Sequence, residues 1–199
     1  MSGALPTTPA FNAMNFKDES NTLISISDSG RRFARKIDNQ RWKFTVGYQN
    51  LTRAEFAPIL AFITKQRGAK ETFTITPPQI KDALGSETTT ISVNGIHAVG
   101  DNTIAIDGFN SDTAGSLKAG DFLKFASHTK VYQVVSDVTP SSNAATVTIE
   151  PPLIEALAND STVTYDAVPF TVYLTSGVQS YSMGINNLYN YEFDVCEAF

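Results

Sequence analysis

The sequence predicts a mainly β fold with one helix, in which a sandwich-like outer domain carries a small inserted Greek-key barrel. Three observations support this prediction. Short segments of alternating polar and apolar residues recur through the 199 residues, as in strands with one buried face. Only one segment has convincing helical spacing. Between Pro77-Pro78 and Pro169, short strands follow one another closely, which is typical of a small barrel.

The first strands are read from alternation and turn residues. Residues 1–20 have no hydrophobic period and contain two prolines, so we expect a loose N-terminal segment without regular structure. A strand follows at 22–26 and closes at Asp28-Ser29-Gly30. Residues 41–48 alternate cleanly and predict a half-buried antiparallel strand with a basic outer face. The residues predicted to be buried on it are Trp42, Phe44, Val46 and Tyr48.

The helix is predicted over residues 52–67. Thr52 and Glu55 match a capping box, in which the two side chains satisfy free backbone N–H groups. Gly68 is a natural C-terminal cap. Pro58 removes one backbone hydrogen bond, so we expect either a kink or a start nearer Ala57. The apolar stripe consists of Phe56, Ile59, Leu60 and Ile63.

The remaining elements complete the two predicted domains. A strand at 71–76 stops at the double proline, and a helical turn is expected at 151–157. The candidate barrel strands are 88–93, 103–107, 121–126, 130–136, 145–150 and 162–166, with the third and fourth forming a hairpin. The final strands are predicted at 170–174, 179–183 and 188–195. We therefore expect a discontinuous outer domain, 1–80 with 169–199, and an inserted barrel, 81–168.

Charge is unevenly distributed along the chain. The formal net charge is −5, but residues 31–53 hold seven Lys and Arg against the single acid Asp38. Residues 131–199 hold eight acids and no Lys or Arg. Such complementary segments suit contacts between neighbouring copies, although nucleic-acid binding and chance clustering also remain open. The candidate inter-subunit contacts are Arg31, Arg32, Arg35, Lys36, Asp166, Glu192 and Asp194.

No constellation for catalysis, metal binding or cofactor binding is evident. His97, His128 and the lone Cys196 are too few for a metal site built on nitrogen and sulfur, and both histidines fall in turns. The sequence lacks a Gly-x-Ser-x-Gly elbow, a phosphate-binding loop and a calcium loop. It also lacks a secretory signal and an apolar run of roughly 18 residues, so no membrane insertion is expected.

One stretch resembles a known family. Residues 117–132, with Ala119-Gly120-Asp121 followed by Lys130-Val131-Tyr132, resemble the inserted oligonucleotide/oligosaccharide-binding (OB)-like barrel of distal tail proteins from long-tailed phages of Gram-negative bacteria. The resemblance implies a structural virion protein that needs no cofactor and has no catalytic residue. It would form a homohexameric ring at the phage tail tip, assembled in the host cytoplasm. One ring face would meet the tail tube protein and the other the baseplate hub or tail-tip proteins.

In that reading the barrels project outward and dock tail fibres or a host surface glycan. Two other classes remain open on the residues alone. A carbohydrate- or nucleic-acid-binding barrel is the first, although the basic segment 31–43 lies outside the acidic barrel region, which makes nucleic acid the weaker choice. A hydrolase built on paired carboxylates is the second.

Overall fold

A computed structural model describes residues 2–37, 39–110 and 112–199, and it shows a mainly β protein. Asp38 lies outside these residues. The described chain forms one α-helix, α1 (Arg53–Lys65), and short 3-10 turns at Pro78–Ile80 and Ile185–Asn187. Its strands are β1 (Ala13–Glu19), β2 (Thr22–Ile26), β3 (Arg32–Lys36), β4 (Arg41–Leu51), β5 (Phe73–Ile75), β6 (Ile91–Val93), β7 (Thr103–Asp107), β8 (Phe122–Phe125), β9 (Tyr132–Val134), β10 (Ala144–Glu150), β11 (Thr162–Thr164), β12 (Phe170–Leu174), β13 (Tyr181–Met183) and β14 (Tyr189–Glu197).

The chain divides into two compact units. The sheet unit comprises residues 2–75 and 171–198, and the barrel unit comprises residues 76–170 with Phe199.

A six-stranded sheet dominates the sheet unit. Its strand order is β1-β4-β14-β12-β5, with β13 paired to β14. The alternation predicted for β4 is confirmed, because Trp42, Phe44, Val46 and Tyr48 are all buried. On β14 the same inward face carries Tyr191, Phe193 and Val195. The sheet therefore has one apolar face and one polar face, as expected for an antiparallel sheet.

Helix α1 contributes to the apolar core of the sheet unit. Phe56, Ile59 and Ile63 are buried as predicted, and the Phe56 ring lies 4.8 Å from the Tyr189 ring. The Glu55 carboxylate accepts hydrogen bonds from the Thr52 backbone N–H and hydroxyl, at 2.9 and 2.7 Å. The helix begins at Arg53 and continues through Pro58, so the alternative start near Ala57 is wrong.

The barrel unit is a closed barrel of six strands in the order β10-β7-β6-β11-β8-β9. All six predicted strands are present, although several are shorter than expected. The predicted hairpin is confirmed by the antiparallel pairing of β8 with β9. Neighbours in space are often distant in sequence, as in a Greek key. The core is filled by buried aliphatic and aromatic side chains, among them Ile91, Ile104, Leu123, Phe125, Tyr132 and Val147.

Two local expectations are wrong. Residues 13–19 form β1 rather than part of a loose N-terminal segment, and Leu5 is buried. β1 lies at the edge of the sheet and is largely exposed, so it shows no hydrophobic period. Residues 151–157 form no helical turn. Their backbone is instead held by Leu153 and Leu157, whose N–H groups bond to the carbonyls of Asp101 and His97.

Candidate assembly interface

Four of the predicted contact residues lie together on a hairpin, residues 22–36, which we call the arm. Its strands β2 and β3 are antiparallel, with Thr22 opposite Lys36 at one end and Ile26 opposite Arg32 at the other. They form a separate two-stranded sheet. Gly30 has a positive φ of 78° in the connecting turn. The turn is closed by the Gly30 N–H, which donates to the Ser27 carbonyl at 2.8 Å. The turn residues read from the sequence therefore set the geometry of this hairpin.

The arm is exposed on both faces. Every residue of its two strands is exposed, including Leu23 at 59 %, Ile26 at 68 % and Phe33 at 53 %. An isolated two-stranded hairpin is at best marginally stable in water, and exposed apolar clusters mark interaction surfaces. The arm thus has the features of a segment that is completed by another surface.

Cationic and apolar side chains are interleaved along the arm. Arg35 lies opposite Leu23, and Arg32 lies opposite Ile26. The Arg31 guanidinium lies 5.5 Å from the centre of the Phe33 ring, within cation–π range. With Lys36 and the single acid Asp28, residues 22–36 carry a net charge of +3. A partner surface should therefore offer both apolar groups and carboxylates.

The three predicted acidic contacts lie in different places. Asp166 belongs to the barrel unit, where its carboxylate accepts a hydrogen bond from the Ala83 backbone at 3.4 Å. Glu192 and Asp194 are exposed on the polar face of β14. The Asp194 carboxylate accepts a hydrogen bond from the Thr45 hydroxyl at 2.5 Å. Asp166 and the two acids of β14 therefore belong to different units.

The polar face of the sheet carries both signs of charge. Asp194 pairs in register with Thr45, while Lys43 pairs with Lys17 on the neighbouring strand. Lys43 also forms an ion pair with Glu19, and this partner raises the pKa of the Lys43 ammonium. The face is thus close to electrically balanced, and it offers a cationic partner little net attraction.

The two units differ strongly in charge. The barrel unit holds four lysines against eleven acids, a net charge of −7. The remainder of the chain holds eleven Lys and Arg against nine acids, a net charge of +2. The asymmetry first seen between the two ends of the sequence is therefore an asymmetry between units. An acidic barrel also disfavours a role in binding nucleic acid.

The two histidines have structural contacts. His128 is 3 % exposed, and its Nδ1 lies 3.0 Å from the Tyr132 hydroxyl. Burial lowers the pKa of His128. His97 accepts a hydrogen bond from the Ala105 N–H at 3.2 Å. Within the described ranges, no three His, Cys, Asp or Glu side chains gather as a metal site, and Cys196 is buried as a free thiol.

The Ala119-Gly120-Asp121 motif has a structural explanation. Asp121 is 3 % exposed, and its carboxylate accepts hydrogen bonds from the N–H groups of Leu84 at 2.6 Å, Lys118 at 2.8 Å and Gly85 at 3.2 Å. Gly120 has a positive φ of 105° in the turn before β8. The motif joins the entering segment 84–85 to the barrel wall, so its residues build the barrel instead of presenting a reactive group.

Sequence reasoning missed one surface of the barrel unit. Ile96 is 82 % exposed and Val99 is 63 % exposed, both in the loop between β6 and β7. The only local signal is the pair Ile96 and Val99 between Gly95 and Gly100, and the two glycines by themselves predict no more than a turn. The structure brings this loop against residues 154–160, a contact that no local pattern encodes.

The described chain is thus a mainly β protein with an acidic barrel and an exposed cationic arm. Residues 82–168 match the family model of the distal tail protein pb9, B domain. This range contains all six barrel strands. The barrel unit is therefore similar to a domain of a phage distal tail protein, which agrees with the resemblance carried by residues 117–132. No curated protein sequence matches the chain. Among the described residues, no helix is long and apolar enough to cross a membrane.

Proposed function

We propose that this protein is a distal tail protein that forms a homohexameric ring and joins the phage tail tube to the baseplate or tail-tip hub. The observation that carries the proposal is the match of residues 82–168 to a distal tail protein domain. Distal tail proteins are structural components of the virion. We therefore propose a protein of the tail tip that is assembled in the host cytoplasm, without catalytic activity or a cofactor.

The arm supports self-association as the basis of this function. A ring needs two different surfaces on each copy, one of which meets the other on the next copy. The arm supplies one such surface, since it is exposed, apolar and cationic. Acidic surface for the other contact is present in the same chain, with Asp166, Glu192 and Asp194 as candidates. The tail tube, the tail-tip proteins, and fibres or a host glycan remain the proposed further partners.

The test reverses charge on the arm. In the variant carrying Arg31→Glu, Arg32→Glu and Arg35→Glu, we expect ring formation to fail, because the altered residues repel the acidic partner surface. Light scattering measures the mass of the assembly, and negative-stain microscopy shows whether rings are present. Unaltered protein should form rings of six copies.

A matched control separates a local effect from a change of net charge. The control carries Lys70→Glu, Lys81→Glu and Lys118→Glu, which are exposed positions outside the arm sequence. It changes net charge by the same amount and should leave the assembly mass unaltered. A parent protein that stays monomeric at high concentration would contradict the proposed function. If the arm variant forms an assembly of unaltered mass, the arm takes no part in ring formation.

A further inference from the structure

The exposed loop of the barrel unit is part of a larger apolar surface. His97 and Leu157 form an antiparallel bridge, with each N–H donating to the other carbonyl at 3.1 and 2.9 Å. Successive side chains in extended backbone point to opposite sides. Leu157 faces the core, and so the residues on either side of the bridge point outward together. The resulting rim patch consists of Ile96, Ala98, Val99, Ala156 and Ala158, all exposed.

The rim patch is held in place by its own backbone. The Gly95 N–H donates to the Asn159 side chain at 2.6 Å, and the Gly100 N–H donates to the Leu153 carbonyl at 2.8 Å. The Asp101 carboxylate closes the turn by accepting the Ala98 N–H at 2.8 Å. An apolar surface held by so many backbone bonds is preorganised for binding, because little entropy is lost when a partner orders it.

Carboxylates border the rim patch. Asp101 has a side chain that is 45 % exposed, and Glu155 and Asp160 are exposed on the facing loop. They belong to a unit whose net charge is −7. Apolar groups bordered by acids complement the interleaved apolar and cationic side chains of the arm. The polar face of the sheet offers acids too, but there they lie beside Lys17 and Lys43.

We propose that the rim patch is the surface that receives the arm of a second copy. This inference rests on the proposed ring and specifies one of its contacts. Leu23 and Phe33, which lie on the same face of the arm, cover the rim patch, while Arg35 on that face approaches its bordering carboxylates. The barrel is then part of the ring contact, and the acids of β14 are not the main acceptors.

The test is cross-linking between copies of the full chain. Every chain carries Cys196→Ala, so that the introduced cysteine is the sole thiol. Chains with Ser25→Cys, on the face of the arm that carries Leu23 and Phe33, are co-expressed with chains carrying Ala98→Cys in the rim patch, and a short bismaleimide joins neighbouring thiols. The control replaces Ala98→Cys by Glu192→Cys on the sheet. The cross-linked dimer is quantified on a denaturing gel, and assembly mass is measured in parallel.

We expect at least about tenfold more cross-linked dimer with Ala98→Cys than with Glu192→Cys. Adding Ile96→Ser and Glu155→Lys to the rim-patch chain should lower that yield by about tenfold or more, the factor expected for one buried Ile side chain. A higher yield with Glu192→Cys would overturn the inference while leaving the ring intact. Rings without cross-linking at either position would overturn it as well. Monomers without cross-linking would overturn the proposed function itself.

Discussion

The barrel and the arm differ in how completely they pair their strand edges and bury their apolar side chains. In the barrel each strand pairs on both sides, so closure leaves no free edge, and its apolar side chains share one core. The arm has only two strands, and both of its faces meet solvent. The difference teaches that the barrel is complete as a fold, whereas the arm leaves apolar side chains exposed, as the proposed contact with a neighbouring copy requires. Changes in the barrel should therefore affect folding, and changes in the arm should affect assembly.

The largest loss of stability is expected from a cavity created in the barrel core. Phe125 is fully buried and its ring lies 5.5 Å from that of Tyr132. Phe125→Ala should lower the free energy of unfolding by about 4 kcal/mol, from lost burial and the cavity left behind. Urea unfolding followed by circular dichroism measures it.

The matching change in the arm is Leu23→Ala. Because Leu23 is 59 % exposed, this variant should change the free energy of unfolding by less than about 0.5 kcal/mol while weakening assembly. The comparison fails if Leu23→Ala destabilises the monomer as much as Phe125→Ala does.

A loss of stability somewhat smaller than that of Phe125→Ala is expected at the turn before β8. Asp121→Ala leaves the N–H groups of Leu84, Gly85 and Lys118 without their carboxylate acceptor, and it should cost about 3 kcal/mol. Asp101 occupies the corresponding position before β7, but its carboxylate accepts the Ala98 N–H and is partly exposed. Asp101→Ala should cost about 1 kcal/mol. Thermal unfolding measures the stability that each variant loses. Equal losses in Asp121→Ala and Asp101→Ala would show that Asp121 does not anchor residues 84–85.

The smallest effect is a pH dependence within the barrel. Burial lowers the pKa of His128 in the folded state, so the unfolded chain binds this proton more readily. The free energy of unfolding should therefore fall as the pH drops below about 6.5, the ordinary value for histidine. His128→Gln removes this contribution, so the variant should lose less stability than the parent between about pH 7 and pH 5.5. Melting temperatures measure it, and parallel curves would contradict the assignment.

Prediction from sequence succeeded where one strand or helix carries its own pattern. The alternation along β4 identified its buried face, and the capping residues of α1 placed its start. It failed where a neighbour decides the structure. β1 is an exposed edge strand whose pairing with β4 supplies its order, and residues 151–157 are held by the loop at 97–101. Neither contact leaves a local period in the chain.

The same distinction between local patterns and distant contacts applies to the candidate interface. The sequence identified the cations of the arm and the turn that closes it, since both are local properties. It grouped Asp166 with Glu192 and Asp194 because they share a long acidic stretch, yet Asp166 belongs to a different unit. The rim patch was missed because its two loops are some sixty residues apart, joined by the bridge from His97 to Leu157.

By itself, the sequence determined the strands with a period, the single helix, the excess of acids over bases and the absence of familiar catalytic motifs. These follow from side-chain order, which can be read without knowing any distant contact. Only the tertiary structure decided which strands close into a barrel, which hairpin remains exposed and which apolar loops meet at the rim patch. The physical reason is that strand pairing joins residues far apart in the chain, and the global arrangement selects the pairs.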